Sequence, residues 1–498
     1  RASKTAMGCS GSVNVDHAAS LSFMKKWRSG GKGKDFLVMG IKDQNMVGKV
    51  YFSGEATSEP DLVASLDAVL KKTRGDACCS RDEFDHLWDV VWHNTKMTSG
   101  YQFMSMKKPF FPIGKNIVQL MDTLGGHGFV PFASPNYGGP VGDKASVDWP
   151  MIILKKDSEG LYEKETLFIA LKDQNIPGKL CACGPPEVVE KLKSNLTNAL
   201  QQYNKEVRVS FDEYDTANDW DIVWQNSNIT SGMQAFSLAK PYFPKCKVVL
   251  SLLTEIYKLG WELVCGPNFG GNAVDWPCFI FKRLKSPMEQ LPLAFGAIKD
   301  QNMPGKFCLS TTASHLQDVT RTISEALRRV KGNEGLKVEK DEYDADHDQV
   351  LRNTSITTGM QAFSLKTAYF PRNDSVLAIT RSMGEKGWKL AACPMFGGMG
   401  ASWPCFLWQY TGKKMQTALV AIKDQSWPGK VCVGGVEPEV GDALLTAFKA
   451  MSGPEAQKGL DQYDKDFQFA IRNTKMTTGQ AFCSMQNSWW PYGFPMEV

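Results

Sequence analysis

One peptide recurs four times along this chain of 498 residues, and its spacing limits what the chain can fold into. Each copy begins with Lys-Asp-Gln and ends with Gly-Lys, and the copies occupy residues 42–49, 172–179, 299–306 and 423–430. A separation of about 125 residues far exceeds the roughly 20–50 residues of solenoid repeats and matches the size of a small domain. The repetition therefore predicts four tandem copies of one duplicated domain.

Composition is that of a globular protein, with 43% hydrophobic and 22% charged residues. The formal net charge of +4 is small for this length and no basic block occurs, so nucleic acid is not expected as a partner. The apolar stretches are shorter than the ~20 residues that a membrane-spanning helix needs. We therefore expect a chain without a membrane-spanning segment.

The thirteen cysteines are placed like apolar side chains rather than like disulfide partners. Cys181, Cys308 and Cys432 follow the Gly-Lys end of three copies, where copy one has Tyr51. A position that accepts either Cys or Tyr is typical of a buried packing site. Because no apolar secretory segment opens the sequence, we expect a reduced, cytoplasmic protein.

The predicted elements follow one order in every copy. A short strand precedes a helix such as 248–259, and Gly260 is placed as the left-handed C-terminal cap of that helix. Four strands and a second helix follow, for example from 261 and over 278–281, 293–298, 306–310 and 315–330. Ser314 and Gln317 have the spacing of a capping box for the second helix.

This order predicts an α+β fold of four tandem domains, each an antiparallel meander sheet with two helices on one face. No counterpart of the first helix or of the Gly-Trp strand precedes the first Lys-Asp-Gln peptide, so the first copy is expected to be truncated. The other face of each sheet carries aromatic residues and must meet the next domain or a ligand. The predicted divisions are an N-terminal segment 1–20 and repeats 21–110, 111–243, 244–370 and 371–498.

The Lys-Asp-Gln peptide offers each copy a carboxylate, an amide and two lysines for a polar ligand. The structural alternative is a turn, because Asp and Asn bond their own backbone and Pro-Gly fits a type II turn. Turn chemistry does not explain why both lysines recur. The candidate ligand-binding residues of this peptide are Asp43, Asp173, Asp300, Asp424, Lys49, Lys179, Lys306 and Lys430.

Aromatic residues beside paired glycines and before Trp-Pro form the second candidate site. Glycines allow a close backbone approach, and tryptophan offers a large flat surface. The alternative is that these rings fill the domain cores, as a Trp next to a strand usually does. The candidate ligand-binding aromatics are Tyr137, Phe269, Phe396, Trp149, Trp276 and Trp403.

Reactive side chains do not recur. The six histidines share no position in the repeat, and no zinc-ligand spacing, nucleophile elbow or phosphate-binding loop occurs. We therefore predict no catalytic residue, metal or cofactor. An enzyme would need one copy to differ from the others, and the copy-specific groups are His86, His93 and His127.

One asparagine does recur in every copy, as Asn94, Asn226, Asn353 and Asn473. A side-chain amide at this place can cap a helix end or a turn, which is the common role of asparagine in such positions. The alternative is a catalytic carboxamide beside the acidic segment that precedes it.

Residues 7–12, Met-Gly-Cys-Ser-Gly-Ser, fit the pattern for N-myristoylation if Met7 is the translational start. Gly8 would carry the myristoyl group, and Cys9 is placed for a second acyl chain. Two chains give stable attachment where one does not. The sequence therefore predicts peripheral membrane association if the segment is acylated.

Together these features favour a non-enzymatic tandem-repeat binding protein inside the cell, whose ligand is an apolar or aromatic small molecule or a protein partner. The alternatives are a structural scaffold, membrane-attached if acylated, in which the aromatics join the units, and an enzyme of unrecognised type. The aromatic segment 489–495 is expected to be buried, in copy four rather than against copy one.

Overall fold

The computed structural model describes residues 22, 24–28, 33, 35–42, 48–82, 85–100, 110–141, 145–172, 178–232, 242–271, 274–286, 291–299, 305–359, 370–398, 401–423, 429–477, 490 and 496. Within these ranges the chain is a mixed α+β protein with repeated antiparallel sheets, which confirms the predicted fold class. None of the helices in the described ranges is both long and apolar enough to cross a membrane.

Seven α-helices have defined bounds in this part of the chain, in addition to the helical residues 24–28. They are α1 (Pro60–Thr73), α2 (Gly114–Gly126), α3 (Pro186–Gln201), α4 (Cys246–Lys258), α5 (Leu316–Arg328), α6 (Asn373–Glu385) and α7 (Pro438–Ser452). Short 3-10 turns occupy Glu55–Ser58, Ala313–His315 and Glu342–Asp344.

The helix ends follow local chemistry. Proline begins α1, α3 and α7, where its missing N–H would have had no partner in the helix. Gly260 follows α4 with φ of +83°, so its predicted left-handed conformation is confirmed. The capping box predicted from Ser314 and Gln317 is wrong, because His315 is the N-cap of α5 and no side chain caps that helix.

The strands fall into four sets. Unit 1 contains Phe36–Ile41, Gly48–Ser53, Cys78–Cys79, Val90–Thr95, Phe129–Ala133, Asn136–Val141 and Ala145–Lys156. Unit 2 contains Tyr162–Lys172, Lys179–Cys183, Arg208–Val209, Ile222–Gln225, Trp261–Cys265, Asn268–Gly271 and Val274–Leu284. Unit 3 contains Leu293–Lys299, Gly305–Thr311, Lys337–Val338, Gln349–Thr354, Trp388–Ala392, Met395–Gly398 and Ala401–Tyr410. Unit 4 contains Leu419–Ile422, Gly429–Gly434, Gln457–Lys458 and Phe469–Thr474.

In units 1, 2 and 3, the long strand that contains Trp-Pro is paired with the first strand of the same unit, which precedes it in the sequence. Gly40 lies opposite Met151 in unit 1, and Ala297 lies opposite Cys405 in unit 3. The sheet is therefore not the predicted meander, in which this strand would pair with the strand that follows it. Residue periodicity shows which face of a strand is buried but not which distant strand it pairs with.

This pairing also moves the divisions of the chain, and the predicted boundaries near 110, 243 and 371 are not confirmed. The strand Phe129–Ala133 belongs to the first sheet, which has seven strands, and helix α2 lies between the first sheet and the second. With the strands grouped by this pairing, the fourth sheet is the smaller one, with four strands in the described ranges, and the predicted truncation of the first copy stays a prediction. One residue pair, Val274 with Gly398, joins the sheets of units 2 and 3.

Successive units share a layer of helices. The paired helices α1 and α2, α3 and α4, and α5 and α6 lie side by side. The second helix of each pair also packs on the sheet of the next unit, as α2 does on Tyr162–Lys172 and α6 on Leu419–Ile422. The helix-free faces of sheets 2, 3 and 4 therefore meet the preceding domain, whereas the next domain or a ligand was expected from the sequence.

The helix-free face of sheet 1 is covered from the other end of the chain. Trp490 is buried in a cluster with Tyr51 and Trp149, and Met496 and Ile422 pack against the same cluster. The burial expected for the aromatic segment is confirmed at Trp490, but its predicted host, copy four, is wrong for this ring. The rest of segment 489–495 lies outside the described residues.

The helical residues 24–28 complete this contact. Met24 joins the core of unit 4 together with Leu87 of unit 1. Arg28 bonds Asp89 of unit 1 at 2.5 Å. Unit 4 thus lies against unit 1, and the four units form a closed series.

Cysteines pack as the sequence predicts. The eleven cysteines among the described residues are all free, and Cys181, Cys308 and Cys432 are buried. Burial raises the pKa of the Cys308 and Cys432 thiols to about 12. These thiols are therefore apolar packing groups rather than nucleophiles.

Candidate functional site: the junctions between units

An aromatic ring from each unit lies against the next unit. The four rings, each followed by proline, are Phe111, Phe243, Phe370 and Trp490. Phe111 contacts Trp276 with ring centroids 5.2 Å apart, and Phe243 contacts Trp403 at the same distance. Trp490 contacts Trp149 of unit 1 at 5.0 Å. The junction between unit 4 and unit 1 is thus built like the junctions between neighbours in sequence.

The six candidate aromatics of the sequence form three cross-strand pairs in these junctions. Tyr137 lies opposite Trp149, Phe269 opposite Trp276, and Phe396 opposite Trp403. The three tryptophans are at most 1% exposed, and the three partners at most 5%. Protein rings therefore already occupy the surfaces that the sequence offered to a ligand.

The first lysine of each repeated peptide lies over the ring from the preceding unit. The Nζ atoms of Lys172, Lys299 and Lys423 lie 4.6, 4.8 and 4.8 Å from the centroids of Phe111, Phe243 and Phe370. In unit 1, Lys42 Nζ lies 5.0 Å from the Trp490 ring. A cation over an aromatic face is stabilising, and more so away from water. This contact explains why the first lysine recurs.

The second lysine of each peptide binds two aspartates of its own unit. Lys49 Nζ lies 2.6 Å from Asp82 and 2.9 Å from Asp85. The same arrangement recurs three times, with Lys179 bound to Asp212 and Asp215, Lys306 to Asp341 and Asp344, and Lys430 to Asp461 and Asp464. The recurrence of the second lysine is therefore a matter of ion pairing inside each unit.

Sequence reasoning missed these aspartates, although their signal is in the sequence. A segment Asp-(Glu or Gln)-(Phe or Tyr)-Asp recurs at 82–85, 212–215, 341–344 and 461–464. The spacing places both carboxylates where one lysine reaches them. The remaining candidates, Asp43, Asp173, Asp300, Asp424, Gly8 and Cys9, lie outside the described residues.

The second aspartate of each segment is a buried charge. Asp85, Asp344 and Asp464 are 0% exposed and Asp215 is 1% exposed. In unit 2 the carboxylate is bound by both lysines, with Lys172 at 2.8 Å and Lys179 at 2.5 Å. A buried carboxylate requires such partners, because leaving it unpaired costs several kcal/mol.

Unit 1 differs from the others at this point. Tyr51, which replaces a cysteine of the other copies, donates a hydrogen bond to Asp85 at 2.8 Å. Burial and the neighbouring carboxylate raise the pKa of Tyr51, so the phenol keeps its proton. Burial, followed by repulsion from Lys49, lowers the pKa of Lys42 to about 8.

In contrast to Tyr51, whose pKa is raised, the carboxyl groups of the ion pairs have lowered pKa values. Burial raises the pKa of Asp461, but hydrogen bonds from Lys430 and the Tyr463 N–H outweigh it and hold the pKa at about 2. The pKa of Asp341 is held lower still by Lys306 and Arg352, again against the effect of burial. These carboxylates are fixed in the ionised form.

Asp82, Asp85 and His93 place three possible metal-ligand atoms within 4.8 Å of one another. The Lys49 ammonium lies between the two carboxylates, where a metal ion would sit. Arginine takes the His93 position in units 3 and 4, and Arg352 bonds Asp341 and Asp344 there. We therefore interpret this cluster as an ion-pair site rather than as a metal centre.

The recurring asparagine has a structural role. Asn94, Asn226, Asn353 and Asn473 all have φ between 56° and 60°. Their amides donate to the carbonyls of Asp76, Glu206, Gly335 and Glu455 at 2.6–3.1 Å. Asparagine tolerates this left-handed conformation better than most residues. The capping interpretation is thus supported over a catalytic carboxamide.

Two cavities in the described part of the chain bear on ligand binding. One, of about 20 Å³, lies in the apolar core of unit 2 beside Leu180 and Phe281, and it is too small for an organic ligand. The other is a surface groove of about 140 Å³ beside Phe132 and Leu161. Neither is lined by a histidine, and His127 instead bonds Ser65 at 3.0 Å.

Comparison with known proteins adds no assignment, because no family model, no curated protein and no solved structure matches this chain. The junctions and the ion-pair sites are therefore the basis for any functional proposal.

Proposed function

We propose that the protein is a non-enzymatic scaffold, in which four units are joined in a closed series and carry repeated loops that bind a protein partner. The observation that carries this proposal is the insertion of one ring from each unit into the next, with Trp490 inserted into unit 1.

The junctions support a scaffold rather than a set of ligand sites. Each of the four contains a lysine over a buried or partly buried ring, and three also contain a tryptophan at the edge of that ring. Such aromatic contacts contribute about 0.5–1.5 kcal/mol each beyond the burial of their area. A small aromatic ligand would have to displace these rings, so we place the partner elsewhere.

The described residues that flank the repeated segments lie at one edge of the sheet in units 1 and 3. In unit 1, Gly48 pairs with Thr95 and Thr98 pairs with Pro112, so the described residues next to positions 43–47 and 101–109 lie at the same edge. The same pairings recur in unit 3, with Gly305 opposite Thr354 and Thr357 opposite Pro371. A partner that contacts several such edges would bind with avidity, which is a reason for a loop sequence to be kept four times.

Replacing the Asp-Gln pair of the loops by Ala-Ala, in one unit at a time and then in all four, tests the loop part of the proposal. Partner recovery on the full chain, measured by cross-linking and native mass spectrometry, should fall with each added replacement. Glu190→Ala on the exposed face of α3 serves as the control. Recovery that is unchanged in the fourfold variant, with thermal unfolding also unchanged, would contradict loop binding.

Membrane attachment through Gly8 and Cys9 is a separate part of the proposal. Its support is the acylation pattern of residues 7–12. Cells fed alkyne analogues of myristate and palmitate should label the chain, and Gly8→Ala should remove the myristate label. Labelling of neither residue in a chain that starts at Met7 would contradict it.

A further inference from the structure

We propose that the Trp490 site of unit 1 is a peptide-binding site that can accept the Trp490 segment of a second copy of this chain. The Trp490 segment would then bind either to unit 1 of its own chain or to unit 1 of a second chain. Chains whose own segment is released would associate through this contact. This inference rests on the scaffold part of the proposed function and is independent of loop binding.

The site holds Trp490 on several sides. Its ring centroid lies 4.7 Å from Tyr51, 5.0 Å from Trp149 and 5.9 Å from Trp88, and Lys42 Nζ lies 5.0 Å away. Trp490 itself is 1% exposed. A fully desolvated aromatic anchor in a preformed pocket is the usual energetic centre of a peptide interface.

The type of segment that this site binds occurs in all four copies of the repeat. In all four copies a glycine precedes the aromatic pair before the proline by ten residues, with Gly100, Gly232, Gly359 and Gly479 before the pairs at 110–111, 242–243, 369–370 and 489–490. Trp490 is therefore the counterpart of Phe111, Phe243 and Phe370. The same segment type is bound by four sites of one design.

The site of unit 1 is nevertheless shaped for tryptophan. A Cβ atom on Gly40 would lie 3.1 Å from Trp490 Cη2 and 2.9 Å from Met151 Sδ. The same strand position carries Ala170, Ala297 and Ala421 in the other units, where the inserted ring is phenylalanine. The smaller residue thus stands opposite the larger ring, and this match directs the Trp490 segment to unit 1.

The closing contact is also the one between residues farthest apart in sequence. Phe111, Phe243 and Phe370 lead directly into α2, α4 and α6, which pack on the next unit. Trp490 meets Tyr51 and Trp149, which precede it by 439 and 341 residues. Contacts made by Trp490 of a second copy would be identical to those of Trp490 within one chain, so exchange loses only the advantage of a covalent connection.

A fluorescent peptide spanning residues 486–496 tests the site on the full chain. It should bind the Trp490→Ala chain at least tenfold more tightly than the wild-type chain, whose own segment competes. A peptide with alanine at 490 should not bind. Equal binding to both chains, or binding to neither, would overturn the proposal. If Trp490→Ala does not fold, Trp490→Phe replaces it, and the peptide should bind that chain more tightly than it binds the wild-type chain.

Exchange between molecules has its own test. Gly40→Leu blocks the site but keeps the Trp490 segment, whereas Trp490→Ala keeps the site but lacks the ring. Each variant alone should be monomeric, and a mixture should form a 1:1 heterodimer by native mass spectrometry. A mixture that stays monomeric while the peptide binds would retain the site and overturn exchange between copies. Neither result depends on the loops, so failure here is distinguishable from failure of partner binding.

Discussion

A Cβ atom on Gly40 would lie 3.1 Å from Cη2 of Trp490, so a side chain at this position of the first strand would crowd the ring that closes the series. Gly40 and Trp490 come from opposite ends of the chain. Their contact is one of four similar junctions, in each of which a ring from one unit enters the next unit.

Truncating a junction tryptophan should destabilise the protein strongly. Trp276 is 0% exposed and contacts Phe111. Trp276→Ala should therefore lower the free energy of unfolding by ~3–5 kcal/mol, the usual effect of removing a buried aromatic side chain. Phe132→Ala is the control, because Phe132 is 58% exposed and its loss should change stability little. Urea unfolding in which both variants lose the same amount would argue against a structural role for Trp276.

The buried aspartates should be more sensitive than their exposed neighbours. Asp215 is 1% exposed and is bound by Lys172 and Lys179. Asp215→Asn leaves the buried Lys172 without its carboxylate partner and Lys179 with Asp212 alone, so we expect a loss of ~3 kcal/mol or more in unfolding free energy. Asp212→Asn, at a side chain that is 36% exposed, should cost ~1 kcal/mol or less. The order of the two losses is the prediction, and the reverse order would refute it.

Stability should depend on pH through His347 in unit 3. Burial, and then repulsion from Lys299, Lys247, Lys306 and Lys340, lowers its pKa to about 3. The unfolded chain binds the proton near the ordinary pKa of ~6.5, so it takes up more protons than the folded chain between these values. Stability is therefore complete above pH 6.5 and decreases as the pH falls towards 3.

The slope between pH 6.5 and 4.5 reports on His347 in particular, because carboxylates such as Asp341 and Asp461 begin to matter only near the unfolded value of ~4. Phenylalanine stands at the equivalent place in unit 4, as Phe467, so His347→Phe is a matched variant. The denaturant midpoint of His347→Phe should change less with pH across this range than that of the wild-type chain. An unaltered slope would show that His347 is not the responsible group.

Gly114 should not tolerate a side chain. A Cβ atom there would lie 2.6 Å from Cζ3 of Trp220 and 2.7 Å from Cys183 Sγ. Gly114→Ala should therefore cost ~1–3 kcal/mol through overpacking at the junction of units 1 and 2. Gly126→Ala, in the last residue of the same helix, meets nothing within 4 Å and should be neutral or stabilising. Calorimetric melting temperatures of the two variants compare these sites.

Local sequence patterns predicted the elements well. The apolar spacing over 248–259 gave α4 with Val249, Leu252, Leu253 and Ile256 buried. The left-handed conformation of Gly260, after that helix, was predicted from cap chemistry alone. What the sequence could not supply was strand pairing, because Gly40 and Met151 pair through contacts that no local period encodes.

The candidate site was predicted in its residues but not in its arrangement. Lys49 and Lys179 were identified from recurrence, whereas their partners, such as Asp85 and Asp215, were not, since the ion pairs form only after folding. The fixed distance from Gly479 to Trp490 could have shown that this ring belongs to the junction series. The small residue at position 40 had no interpretation until its partner was known.

A double-mutant cycle between Gly40 and Trp490 tests the closed series most directly. Gly40→Ala alone should cost ~1–3 kcal/mol by overpacking against Met151, Trp490 and Trp88. Trp490→Phe alone should also be destabilising, because it leaves space beside Gly40. The double variant restores the Ala–Phe combination of the other three junctions. We expect it to be more stable than the sum of the single losses by ~1 kcal/mol or more. Losses that add within ~0.5 kcal/mol would show that the two residues do not meet, and would contradict closure of unit 4 onto unit 1.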